Sequence, residues 1–188
     1  MATKTSAVIS FTADVNPTTA QALIGQFAAL INKGVKEITL LLSTPGGTVR
    51  EGMAIYNTLR GLPVKLTTHN VGNVDSIGNV IFLAGEKRYA APNTTFMFHG
   101  VGQTLEVKTR LEERDLKEKL DSIKADNLRI ASIIEDRASF SSSREVRNLF
   151  LQARTKDVDY AKSRGIIHDI REVQVPAGTP VYQLVFKR

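Results

Sequence analysis

The 188-residue sequence predicts an α/β domain with a mostly parallel sheet. Three observations carry that expectation. Short β-type runs alternate with longer helix-type segments from residue 7 to residue 100. The run KEITLLLST (36–44) carries a continuous apolar centre, Leu40–Leu42, with Ile38 beside it, as expected of a strand covered on both faces. Helix boundary signals fall where the alternation needs them: in NPTTAQALIGQFAALINKG (16–34), Asn16 suits the cap, Pro17 the first helical position and Gly34 the exit.

The remaining elements follow in order. AVISFTADV (7–15) reads as the first strand. TVREGMAIYNTLRGL (48–62) places Val49, Met53, Ile55, Tyr56 and Leu59 on an approximate helical stripe. PVKLTTHNVG (63–72) is another strand, NVDSIGN (73–79) opens a short apolar helix, and RYAAPNTTFMFHG (88–100) is again strand-like. Residues 105–139 run without Pro or Gly, with Val107, Leu111, Leu116, Leu120, Ile123, Leu128, Ile130 and Ile134 on an imperfect stripe and charges that nearly cancel. Two readings stand there: an amphipathic helix broken near Ala125, or a helix projecting to meet another subunit. Residues 141–155 and 157–165 predict two more helices, the first with a serine cap and the second closing on Gly165. The tail carries strand-like pieces around a PAGTP turn. No repeat or linker divides the chain, so one domain over 1–188 is expected.

Composition narrows the function classes. Cysteine is absent, which removes disulfides, thiolate catalysis and thiolate metal sites. The net charge is +6, yet Lys and Arg are spread among acids, so nucleic acid is not an expected partner. No run approaches the roughly 20 apolar residues that span a bilayer, and the start lacks the pattern of a secretion signal. A cytoplasmic protein without a membrane partner is expected. His69 and His168 lack the company of a ligand set and read as surface or core polar residues, with no metal site and no cofactor implied.

The chemistry concentrates at three strand-to-helix junctions: STPGGT (43–48), GNVDSIG (72–78) and FMFHG (96–100). In open α/β sheets, ligands bind beyond the carboxyl ends of the strands. Adjacent glycines let backbone approach a substrate closely and aim N–H groups at developing negative charge. Ser76 at the start of a helix gains from the helix's positive end, and the N–H that follows it completes an oxyanion hole. His99 is placed to take the serine proton. Seen singly, Ser76 or Asp75 reads as a helix cap and His99 as a hydrogen-bonded core residue.

STPGGTVREGMAIYNTLR, VGNVDSIGNVIFLAGEKRYAAPNTTFMFH and AKSRGIIHDI, in that order and at those intervals, resemble the proteolytic subunit of the Clp protease, a serine peptidase family of the crotonase-like fold. The resemblance runs from about residue 8 to about residue 170. It implies Ser76 as nucleophile, His99 as general base, and the N–H groups of Gly47 and Ile77 as oxyanion hole. It also implies a handle helix at about 105–139 that packs subunits into rings or double rings, and a peptide or unfolded-protein substrate.

Five departures accompany it. The family's third catalytic residue, an aspartate, falls on Ala153 when aligned backward from Gly165. Aligned forward from His99 it falls on Asn148, with Asp157 and Asp159 just beyond; Asp157 also suits the cap of the next helix. Loss of the orienting carboxylate of a serine triad costs on the order of 10⁴ in turnover. Asp75 stands where the family has a small residue, and capping is its expected role, with electrostatic perturbation of His99 as the alternative. The chain begins almost at the first core strand, without the family's axial-gate segment, which puts dependence on an ATP-driven unfoldase in doubt. GVGQTL after the histidine lacks the family's proline, and the tail from about 170 to 188 is longer than usual, suited to pairing with a neighbour or covering the site. The rival functions are a catalytically impaired oligomeric scaffold and a crotonase-type acyl-CoA enzyme. GNVDSIG is not the G-x-S-x-G elbow of α/β-hydrolases.

Overall fold

The computed structural model describes residues 5–104 and 110–186. The first part is a run of parallel pairings: β1 (Ser6–Thr12), α1 (Pro17–Asn32), β2 (Glu37–Thr44), α2 (Val49–Gly61) and β3 (Lys65–Asp75), with β1 beside β2 and β2 beside β3. α1 starts as its sequence demands. The Asn16 side chain accepts the Thr19 N–H at 3.0 Å while the Thr19 hydroxyl accepts the Asn16 N–H at 2.9 Å, a reciprocal cap. β2 differs from expectation on one point. Ile38, Leu40, Leu42 and Thr44 are buried, but Thr39, Leu41 and Ser43 are only half-buried, so one face is closed and the other partly open.

β3 is longer than its apolar run, and it forks. Its first half, Thr67–Asn70, pairs with β4 (Lys87–Ala90), and its last three residues pair with β5 (Thr95–Phe98). The expected strand over 88–100 is therefore two short strands joined at Ala91–Thr94. Asn70 holds the fork: its Nδ2 donates to Thr95 O at 2.8 Å, and its backbone carbonyl accepts the Ala91 N–H at 3.0 Å. Between these branches α3 (Gly78–Phe82) packs under the sheet. Phe82 and Phe96, both fully buried, meet edge-to-face at 5.2 Å.

α4 (Glu113–Arg137) is the long helix, 25 residues without a break near Ala125. It starts later than residue 105 because Glu112 and Asp115 form a reciprocal cap, with the Glu112 N–H donated to Asp115 Oδ2 at 3.0 Å. Residues 105–109 of the expected span lie outside the described residues. Its buried residues, Ile130, Ala131 and Ile134, all lie in its last third, while Leu116, Leu120 and Leu128 are exposed. α5 (Ser143–Gln152), β6 (Arg154–Lys156) and α6 (Val158–Ser163) follow, and β6 is the antiparallel member of the sheet, paired with β5.

The tail neither covers the site nor stands free. β7 (Asp169–Ile170) pairs with β4, and β8 (Val181–Leu184) adds a parallel strand to β1 at the far edge of the sheet. The turn PAGTP reverses the chain at Gly178, and Phe186 then packs edge-on against Phe11 at 6.1 Å. β1 is thereby paired on both sides, and the edge of the sheet passes to the short β8.

Arg88 locks these layers together. Its buried guanidinium donates to the carbonyls of Ile166, Gly85, Arg137 and Gly165 at 2.8–3.2 Å. No carboxylate shares the site, and burial, helped by the charges of Arg137 and Arg60, pushes its pKa down to about 10. Arg88→Met removes that donor from the carbonyls of Ile166, Arg137 and Gly165, with Gly85 O keeping Arg137, so urea unfolding at fixed protein concentration is expected to show a loss of about 2–4 kcal/mol.

Candidate active site

β3 does not stop at the apolar run; it continues through Asn73, Val74 and Asp75 because those residues pair with Thr95, Phe96 and Met97. Ser76 is therefore the turn itself, between the strand and α3. Its φ of 57° lies in the left-handed region, which costs an L-residue about 1–2 kcal/mol. β5 holds it there. Ser76 N–H donates to Met97 O at 2.9 Å, and Asn79 Nδ2 donates both to Met97 O at 2.8 Å and to Ser76 O at 3.0 Å.

The glycine loop closes on this turn from β2. A Cβ on Gly46 would stand 2.6 Å from Ser76 Cβ, and one on Gly47 would stand 2.2 Å from Val15 O. Both glycines also have positive φ, 88° and 145°. Val15 is the fixed point of the loop, donating its N–H to Gly46 O at 2.7 Å and accepting the Thr48 N–H at 2.8 Å. Those bonds skip Gly47, leaving its own N–H outside the bridge. Ile77, the first residue past the turn, likewise has its N–H at the open start of α3.

Ser76, His99, Gly47 and Ile77 line one cavity of about 90 Å³, at the end of the sheet where β3 and β5 finish. Val49, Val101, Ile130, Ile134 and Phe150 make its apolar wall. Ser76 is half-buried and His99 exposed, and no hydrogen bond joins the two side chains. The segment after His99 is tied to the long helix rather than left loose: Val101 N–H donates to Asn127 Oδ1 at 3.0 Å, and Asn127 Nδ2 donates to Ile123 O at 2.9 Å.

The two candidates for orienting His99 sit elsewhere. Asp157 Oδ1 accepts the Tyr160 N–H at 2.7 Å and caps α6. Asn148 is exposed on α5 and does not line the cavity. Continued one step past its last pair, the β5–β6 register sets His99 beside Ala153, which has a φ of 46° and no carboxylate. His69 is buried, with Nε2 3.0 Å from Arg171 O, and burial followed by the Arg171 charge holds its pKa below the ordinary value. His168 Nδ1 accepts the Arg88 N–H at 3.0 Å. Both serve the β4–β7 edge.

Asp75 differs from its expected role. It caps nothing, since α3 has no side-chain cap; it is the last residue of β3, and its Oδ1 is buried without a partner. Burial raises its pKa above the usual carboxylate range, opposed by the Met97 backbone, the Asn73 side chain and the charge of His99. Asn79, Asn127 and the Met97 carbonyl were not singled out by the sequence. A buried asparagine inside the apolar run NVIFLAG was the one signal available for the first.

Two stability predictions follow from strain and charge. Ser76→Gly removes the left-handed penalty, so it is expected to exceed Ser76→Ala by about 1 kcal/mol in thermal or urea unfolding. A carboxyl whose folded pKa is raised binds its proton more tightly folded than unfolded, so its contribution falls as pH rises through that window. Asp75→Asn is therefore expected to raise Tm at neutral pH, with the gain shrinking toward zero as pH drops below the unfolded carboxyl's range.

The profile of the Clp protease family matches residues 2–174. Among solved structures, the chain is similar to ClpP1 from Listeria monocytogenes at 24% identity, with a TM-score of 0.76 over 89% of this chain and 92% of that one. A point mutant of ClpP1 from the same organism matches at 23% identity and a TM-score of 0.76, over 90% of this chain and 92% of that one. These structural likenesses establish the α/β fold with its mostly parallel sheet. The extent of the family match establishes membership: the chain belongs to the Clp protease family.

Proposed function

We propose that this member of the Clp protease family is a serine endopeptidase that cleaves extended peptides or unfolded proteins through an acyl-enzyme on Ser76. The observation that carries the reading is the convergence of a strained serine, an exposed imidazole and two uncommitted main-chain N–H groups on one apolar cavity. Ser76 Oγ attacks the scissile carbonyl while its proton passes to His99. The oxyanion that forms accepts from the N–H groups of Gly47 and Ile77. Collapse breaks the C–N bond, with the proton delivered to the leaving amine, and water then releases the acyl group by the same steps. His99 is exposed and not held by Ser76, so it turns onto Oγ when substrate fills the cleft. The wall of Val49, Ile130, Ile134 and Phe150 suits an apolar side chain before the scissile bond.

The same reading extends to assembly. The exposed Leu116, Leu120 and Leu128 on α4 form an apolar row that a homo-oligomeric ring or double ring would bury. The specific observation favouring a second reading, a scaffold without turnover, is Ala153 beside His99 where the family carries its acid.

Fluorogenic peptides and a fluorophosphonate probe separate the two. The peptidase is expected to label at Ser76, to prefer Leu or Met over Asp or Lys before the cleaved bond, and to lose at least about 10³-fold activity in Ser76→Ala. Undiminished turnover in Ser76→Ala, or an adduct elsewhere, refutes the assignment; assembly with neither turnover nor labelling supports the scaffold.

A further inference from the structure

We infer that Asp75 is a positioning residue for His99, its carboxylate facing the imidazole across the β3–β5 pair and balancing the positive charge that His99 acquires when it takes the serine proton. This rests on the peptidase reading above. It assigns the task usually given to a separate acid to the residue immediately before the nucleophile.

The geometry comes from strand alternation. β5 turns Phe96 and Phe98 into the core, so Met97 and, one step past the strand, His99 belong to the other face. Asp75 is paired with Met97 and shares that face. The rise and spacing of paired strands put Asp75 and His99 at about 8 Å between Cα positions, within joint reach of an aspartate and an imidazole. The Asp75 carboxyl feels the charge of His99, and its Oδ1 is buried with no donor spent on it. On the other flank of His99 the register offers only Ala153.

The charged neighbours of Asp75 on its open side are few. Asp14, from the loop between β1 and α1, lines the same shallow cleft with Ser43 and Asn73 and is a like charge. Arg154 and Lys156 of β6 pair with Phe98 and Phe96, and so alternate to the opposite face. His99 is the charged side chain whose field reaches Asp75. In the acylation step the Ser76 O–H proton goes to the imidazole, the Oγ–C bond forms and the carbonyl electron pair becomes the oxyanion. Asp75 keeps its charge throughout and receives no proton. Its effect is electrostatic, lowering the energy of the imidazolium–oxyanion pair relative to the neutral start.

Two measurements test this. The first needs no turnover: in the Ser76→Ala protein, the Asp75 carboxyl carbon is followed by NMR against pH, identified by its disappearance in Asp75→Asn. Replacing His99 by Gln is expected to move the Asp75 midpoint up by about one pH unit, because a neighbouring cation is lost. An unmoved midpoint overturns the proposal. The second measures kcat and KM against pH. Asp75→Asn is expected to cut kcat about 10- to 100-fold with a smaller change in KM, and to move the acid limb of the profile to lower pH, with Asp75→Glu restoring both in part. Wild-type kcat and an unchanged acid limb in Asp75→Asn likewise overturn it. If the unmodified protein has no peptidase activity, the peptidase reading falls, while the carboxyl titration still decides whether the two side chains are coupled.

Discussion

Much of the site depends on one acceptor, the backbone carbonyl of Met97. It receives the Ser76 N–H and the Asn79 amide together, and so ties a left-handed turn to the neighbouring strand. Two residues further along that strand is His99. The relation between serine and imidazole is therefore not set by loop packing but by the register of three residue pairs, Asn73–Thr95, Val74–Phe96 and Asp75–Met97. A slip of one residue would send Met97 and His99 to the core face and bring Phe96 and Phe98 out, which the apolar interior forbids. Burial of two phenylalanines thus fixes a polar geometry on the opposite side of the sheet.

The sequence revealed this arrangement unevenly, and the reasons are physical. α1 was legible almost to the residue because its boundaries are local: Asn16, Pro17 and Gly34 act on backbone groups within a turn of themselves. The three junctions were legible because glycine, serine and histidine are rare ends for apolar strands. The continuation of β3 through Asp75 was hidden, since what extends it is pairing to a strand 20 residues later, and NVD has weak strand character of its own. The destination of the tail was hidden for the same reason. β8 has two half-buried positions and finds its place by completing the β1 edge, a fact about another part of the chain. Asp75 looked like a cap because Asp before a short helix usually is one; only the strand register removes it from that role.

Backbone strain and a buried carboxylate oxygen meet here at adjacent positions. Ser76 occupies a backbone region that L-residues avoid, and Asp75 keeps a carboxylate oxygen buried without a donor. Elsewhere the core is apolar, α1 and α5 carry side-chain caps, and Arg88, a buried cation, directs four hydrogen bonds at carbonyls. Local violations persist only where the surroundings over-determine them, and they tend to gather where a site needs groups held out of their resting state. Gly46 shows how tight the surroundings are here, because even a methyl group on it would meet the serine.

The same reasoning connects the long helix to the serine turn. α3 is five residues long: Ser76 stands just before it, and its exit is gripped by the last turn of α4, where Arg137 donates to Leu83 O at 3.1 Å and Gly85 O at 3.0 Å. Arg88 adds a second tie, bonding Gly85 O and Arg137 O with one guanidinium. Ile134 and Ile130, one and two turns earlier on α4, wall the cavity that Ser76 lines. A tilt of α4 about its anchored end therefore changes the cavity wall directly and also pulls on a helix too short to absorb the motion. A partner that buries the exposed Leu116, Leu120 and Leu128 would set that tilt from the far end of the same rigid element.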